Sequence, residues 1–196
     1  MHEIYTNEVE KKIEQFVEEA FAFNKKHNIF VRKSIEEVYE KDVYDCLPVL
    51  HKIKKSDKIL DLGSGGGFPG IIIAITKPMC EIHLLEKSKK KCYFLNKIID
   101  LLELKNTQVL NTVINKKNKL GLYSLITARA FSSITNILEL TQNNLDVGGK
   151  HVLLKGKKEK IKEELSTINT SKYKYEIIKL ENTKFERHLV EIKKNE

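Results

Sequence analysis

Lys58-Ile59-Leu60-Asp61-Leu62-Gly63-Ser64-Gly65-Gly66-Gly67-Phe68-Pro69-Gly70-Ile71-Ile72-Ile73-Ala74-Ile75 decides the fold. An apolar run too short for a helix gives way to a glycine cluster and then to a second, longer apolar run, which is the signature of a strand, a tight turn and a helix start. Glycine is required in such a turn because it alone adopts positive φ without steric cost and lets a ligand lie against bare backbone. Pro69 suits the first turn of the helix, where no amide hydrogen is needed.

Outward from the loop, short apolar runs alternate with helical segments. Strands are expected over residues 58–62, 81–86, 108–113, 124–128 and 151–155, and helices over 70–77, 88–102, 134–144 and 157–168. Residues 174–180 and 188–193 alternate as strands across a short linker and form an antiparallel hairpin at the sheet edge. The expected fold is therefore α/β, with a mostly parallel seven-stranded sheet. Upstream, Val9, Ile13, Phe16, Val17, Ala20, Phe21 and Phe23 recur at helical spacing. Ser34 with Glu37 forms a capping box for a second helix that should end near Leu47, before Pro48. Residues 1–55 are read as an N-terminal helical cap, and 56–196 as the Rossmann-like domain it covers.

Three classes of ligand compete for the loop. A triphosphate-binding loop needs Gly-Lys-Ser/Thr where Phe68-Pro69 stand. A dinucleotide fingerprint counted from Gly63 fails at Phe68, whereas Gly65, Gly67 and Gly70 do match it but leave Asp61 without a role. The third pattern is an acidic residue, Gly-x-Gly-x-Gly, and a second acidic residue closing the next strand at Glu86; it suits S-adenosylmethionine, which carries a ribose diol, a sulfonium and an amino-acid tail. Asp61 would then lie beside the ammonium and sulfonium, and Glu86 would accept from the ribose hydroxyls. The competing role for Glu86 is purely local: a carboxylate at the start of a helix capped by Ser88.

The chain has 196 residues, enough for one domain and a substantial core. No apolar run approaches the ~20 residues that span a bilayer, and the first sixteen residues carry charges of both signs, so the protein is expected in the cytoplasm. Cys46, Cys80 and Cys92 lack C-x-x-C pairing and are read as buried thiols, neither disulfides nor zinc ligands. The histidines are not spaced as metal ligands, and no metal is expected. Thirty-five Lys and Arg against 27 Asp and Glu give a net charge of +8, which favours a polyanionic partner or reflects solvated surface lysines.

The residues resemble one family closely. Phe23-Asn24-Lys25-Lys26-His27-Asn28, Asp45 before Pro48, the loop ending Phe68-Pro69-Gly70, Leu84-Leu85-Glu86, Lys90-Lys91 with Phe94-Leu95, Arg129-Ala130-Phe131-Ser132-Ser133, Leu154-Lys155-Gly156 and Glu186-Arg187-His188-Leu189 are similar to the glucose-inhibited division protein B family. Those proteins are guanine-N7 methyltransferases of bacterial small-subunit ribosomal RNA. The resemblance implies a class I methyltransferase fold, S-adenosylmethionine as cofactor, and a cofactor site built from Asp61, Gly63, Ser64, Gly65, Gly67, Phe68, Glu86 and Arg129. It places Lys155 and Arg187 near the same cleft and implies the ribosomal RNA, free or in the assembling small subunit, as partner of a monomeric enzyme. The chain departs from the family where histidine often stands at Asp42, where an acidic residue stands near Ile114-Asn115, and where aspartate stands near Ser124.

Guanine N7 carries an in-plane lone pair, so no general base is needed, and no Asp-Pro-Pro-Tyr or cysteine nucleophile motif stands out. Arg129, at the end of the fourth strand, is the candidate catalytic residue, donating to guanine O6 or a neighbouring phosphate; a structural salt bridge is the alternative. Lys90, Lys91, Lys155 and Arg187 are the candidate RNA contacts, with Lys87 and Lys89 beside them, although lysine runs also serve as solvated helix faces. Phe68 and Phe131 either stack on a base or pack in the core. A small-molecule methyltransferase, a dinucleotide-dependent oxidoreductase and a nonenzymatic RNA-binding assembly factor are the rival readings.

Overall fold

The first helix begins where its end groups find partners: the Thr6 hydroxyl accepts from the Val9 amide at 3.4 Å, and Glu8 and Glu10 sit in the first turn of α1 (Asn7–His27). The computed structural model describes residues 6–181 and 185–195; residues 1–5 of the expected cap, 182–184 of the hairpin linker and residue 196 lie outside the described residues. Asn28 closes α1 in the left-handed conformation with φ 50°. The Asn24 side chain, buried in the last turn, accepts from the Phe30 amide at 2.9 Å and so fixes the path of the segment that follows.

Ser34 caps α2 (Ile35–Val38) as the capping box requires, but the Glu37 carboxylate returns to the Lys33 amide, one residue upstream of the expected donor. The helix does not stop at Pro48. It continues through a π-helical turn (Tyr39–Val43) into α3 (Tyr44–Leu50), with Pro48 inside. An interior proline costs about 3 kcal/mol, and the burial of Cys46, Val49 and Leu50 on the same element offsets it.

The remaining elements are β1 (Lys58–Leu62), α4 (Gly70–Thr76), β2 (Glu81–Leu85), α5 (Lys89–Leu101), β3 (Thr107–Leu110), β4 (Tyr123–Arg129), α6 (Ile134–Leu140), β5 (Leu145–Lys155), α7 (Lys158–Leu165), β6 (Tyr173–Lys179) and β7 (His188–Lys194). They form a seven-stranded sheet ordered β3-β2-β1-β4-β5-β7-β6, parallel except where β7 pairs with β5 and β6. This is the expected mostly parallel seven-stranded sheet with its antiparallel hairpin. Two expectations are corrected. Helix α6 ends at Leu140, since Thr141 turns its hydroxyl back to the Ile137 carbonyl. Strand β5 begins at Leu145, six residues before the expected start, because Gly148 (φ 73°) and Gly149 absorb a register shift against β4 that reads in sequence as a loop.

The sheet separates two apolar layers. On one face, α1, α3, α4 and α5 bury Phe16, Val17, Val49, Ile71, Phe94 and Leu95 in a core that also takes Ile59 and Leu84 from the sheet. On the other face, α6 and α7 cover Leu60, Leu62, Ile126, Leu153 and Val190. The alternation of Ile59 and Leu60 between the layers is the strand period of two. The helices before β1 thus share one core with the sheet. No helix among the described residues is long and apolar enough to cross a membrane. All three cysteines are buried free thiols, as read.

Candidate active site

Strand order reverses between β1 and β4, and ligands of open α/β sheets bind in the crevice beyond the carboxyl ends of strands at such a point. Four loops meet there: those after β1, β2, β4 and β5. In the first, Gly63, Gly65 and Gly67 all take positive φ, at 68°, 56° and 92°. A Cβ on Gly63 would stand 2.5 Å from the Phe131 ring, and one on Gly70 would stand 2.3 Å from a Leu84 methyl and 2.6 Å from the Asp61 carboxylate. The glycines therefore permit both the turn and its close approach to the sheet.

Glu86, just past β2, takes the Gly65 amide at 3.0 Å on one oxygen and the Ser88 amide at 2.8 Å on the other. Both readings of this residue meet in that geometry: it braces the start of α5 and it holds the glycine loop. Each carboxylate oxygen has two acceptor directions, so a diol remains within the chemistry of the group. Asp61 is buried beneath the loop, outside the surface of either cavity described below. Its two carboxylate oxygens have no hydrogen-bond partner; the Ser64 hydroxyl donates to the Asp61 main-chain carbonyl instead. Burial pushes its pKa up to about 6, with the nearby Ser64 hydroxyl and Gly70 amide pulling the other way.

Two cavities flank the loop and share Gly63, Lys91 and Ala130 on their rims. The narrower, about 340 Å³, is bounded by the apolar Leu85, Ile114, Phe131 and Leu140, with the Glu86 carboxylate, Lys87 and Lys91 also on its lining. The wider, about 470 Å³, is lined by Phe30, Arg32, Asp45, Arg129, Lys155 and Arg187 among others. Ala130, between them, holds φ at 51°, a region a non-glycine residue enters at a cost.

Arg129 ends β4 and donates through Nη1 to the Lys41 carbonyl at 3.0 Å and to the Asp42 carboxylate at 2.6 Å. The salt bridge weighed against a functional role exists, and Arg129 lines the wider cavity as well. Lys155 reaches the Ser132 carbonyl and the Glu164 carboxylate, and Arg187 reaches Asp45 at 2.8 Å. Lys91 lines both cavities, whereas Lys90 lies outside both linings and donates to the His27 carbonyl at the end of α1. Phe68 is buried against Phe16, their ring centroids 4.8 Å apart, and also borders the wider cavity; Phe131 covers Gly63 and borders the narrower one.

Reading residues one at a time did not find Arg32, Lys41 or Phe30 at the site. They arrive there through the turn after α1 and the π-helical turn, and no motif announces either. Among the described residues no cluster of His, Cys, Asp and Glu could hold a metal ion.

The orphaned acid under the loop, the loop-bracing Glu86 and the apolar cavity beside it fit a cationic nucleoside with a ribose diol. Fold and site together define a Rossmann-like domain, and its family membership makes it a methyltransferase that uses S-adenosylmethionine. Solved structures share the architecture at low identity: a Pyrococcus furiosus methyltransferase superposes with TM-score 0.61 at 15% identity over 91% of this chain and 96% of that one. A Streptococcus mutans putative methyltransferase in complex with SAH gives TM-score 0.56 at 13% identity over 85% of this chain and 100% of that one. The chain belongs to the GidB family, rRNA small subunit methyltransferase G, whose family model matches residues 9–190. It is similar to the Ribosomal RNA small subunit methyltransferase G of Brachyspira hyodysenteriae, 38% identical over 92% of this chain and 88% of the relative. A relative of the same name from Francisella tularensis is 35% identical over 88% of this chain and 82% of its own length.

Proposed function

We propose that this protein transfers a methyl group from S-adenosylmethionine to N7 of a guanine in small-subunit ribosomal RNA, acting in the cytoplasm as a monomer on the RNA or the assembling subunit. The observation that carries the reading is the pair of cavities meeting at Gly63, Lys91 and Ala130, one largely apolar with the Glu86 carboxylate and two rim lysines, the other rich in cations. Bound in the first, the cofactor would supply an electrophilic methyl on a sulfonium. Glu86 would hold the ribose there, while the amino-acid end would cross the shared rim at Gly63 to lie against the main chain of Ser64 and Gly65 in the wider cavity; Gly67 and Phe68 would support the loop, and Asp61 would offset the positive charge.

In the second cavity Arg129 would orient the base so that N7, methyl and sulfur align. Orientation of this kind contributes up to ~7 to 11 kcal/mol in favourable cases. N7 has its lone pair in the ring plane, so no proton has to be removed. The carboxylate lining the wider cavity, Asp45, is held by Arg187 and is not needed as a base. Lys91, Lys155 and Arg187 would face the RNA backbone; Lys90 would contact RNA only at the periphery.

The test is the modification map of ribosomal RNA from cells with and without the gene. Loss of one N7-methylguanine from the small subunit, restored by the purified protein with S-adenosylmethionine, is the expected result. An unchanged map overturns the assignment. A small-molecule acceptor would instead leave the map intact and show turnover without RNA.

A further inference from the structure

Asp42 is fully buried, and two arginines from distant parts of the chain share its carboxylate. Arg32, on the segment between α1 and α2, binds it in a bidentate manner, Nε to Oδ2 at 2.7 Å and Nη2 to Oδ1 at 2.9 Å. Arg129, at the end of β4, adds Nη1 to Oδ1 at 2.6 Å. One partner would satisfy a buried acid; the second guanidinium costs desolvation and repulsion from the first. Both arginines line the same cavity, which gives the arrangement a direction.

The donors left over agree with it. Arg32 spends its remaining bond on the Val31 carbonyl and keeps one hydrogen on each terminal nitrogen. Among the described residues Arg129 donates only through Nη1, so Nε and Nη2 keep theirs. Two guanidiniums on one carboxylate leave a surplus of one positive charge, the complement of a single phosphodiester. Planar forks of this kind match phosphate oxygens.

We propose that Arg32 is an RNA-binding residue, holding the backbone phosphate beside the target nucleotide, and that Asp42 is the positioning residue that yokes it to Arg129. The inference rests on the RNA-methyltransferase reading. Arg32 follows exposed Val31 on the segment between α1 and α2, where a backbone could reach it, while Arg129 ends a central strand where the base would enter. The Asn24 side chain sets the segment carrying Arg32, and the π-helical turn supplies both the Asp42 carboxylate and the Lys41 carbonyl that hold Arg129. Local π-turns of this sort concentrate at functional sites.

The experiment measures binding of a small-subunit ribosomal RNA transcript by wild type, Arg32→Gln, Arg32→Met and Arg32→Lys across about 50 to 300 mM KCl, with SAH affinity measured alongside. Loss of one phosphate contact on a single strand lowers the slope of log affinity against log salt by about 0.7. Both neutral variants should show that drop and about tenfold weaker binding at the lowest salt, with SAH affinity unchanged. Arg32→Lys should restore the slope. Asp42→Asn should split the kinetics, lowering kcat because Arg129 loses its anchor while the KM for RNA stays level or falls. Neutral variants with the wild-type slope and affinity overturn the inference alone. Wild type that binds no RNA overturns the function along with it.

Discussion

Asp61 sets function against stability, and replacing it with asparagine should separate the two. Its carboxylate is buried without a hydrogen-bond partner, and burial lifts its pKa from 3.8 to about 6. The folded state thus holds the proton more tightly than the unfolded one, so this group's contribution favours folding most at low pH and declines as pH rises from 3.8 through 6. A shift of about two units corresponds to about 3 kcal/mol lost above pH 6, at about 1.4 kcal/mol per unit. Asp61→Asn removes the charge but leaves a buried amide, so the gain at pH 7.5 should lie between about 1 and 3 kcal/mol. For a chain of this size that is roughly 2–4 °C of Tm per kcal/mol. Urea denaturation of wild type and variant at pH 7.5 and pH 4.5 is the assay: the variant is the more stable at pH 7.5, and the gap narrows at pH 4.5. Calorimetry with SAH at pH 7.5 should show the variant binding at least about tenfold more weakly, the equivalent of about 1.4 kcal/mol. A variant less stable than wild type at pH 7.5, or a gap independent of pH, would show that the carboxylate is satisfied in the fold and refute the reasoning.

Arg129→Ala should lower kcat at least about 100-fold, the loss typical of one positioned transition-state donor, while SAH binds within twofold of wild type; retained turnover would leave Arg129 a structural ion pair. Gly70→Ala places a methyl 2.3 Å from Leu84 and should cost about 1–3 kcal/mol in urea denaturation, whereas Gly156→Ala, with nothing within 4 Å of the added methyl, should cost almost nothing. His151 is buried with its pKa pushed down to about 3, so the folded chain keeps it neutral while the unfolded chain protonates near 6.5. Stability is lost as pH falls below 6.5, and between pH 6.5 and pH 5 wild type should lose about 2 kcal/mol that His151→Gln does not; parallel losses in the two proteins would exclude it.

The chain's own pattern determined the existence and order along the chain of every strand and the terminal hairpin, though it missed the first six residues of β5, because the buried central strands are apolar runs and most are followed by a crossover helix. The glycine loop and Glu86 were legible for the same reason: positive φ and a strand-end carboxylate leave marks on single residues. Helix ends were less legible. Pro48 marked a stop that Cys46, Val49 and Leu50 override by burial, and Gly148-Gly149 marked a loop that pairing with β4 turns into strand.

Residue types and spacing determined the scaffold and the glycine loop of this protein. Tertiary structure alone decided which charges line the wider cavity. Arg32, Asp42 and Arg129 lie ten and 87 residues apart in order along the chain, and a carboxylate held by two guanidiniums exists only once α1, the π-helical turn and β4 are packed together. Lys90 and Lys91 show the same limit at one step's distance: helical rotation of about 100° per residue sends one to cap α1 and the other to the rim of both cavities.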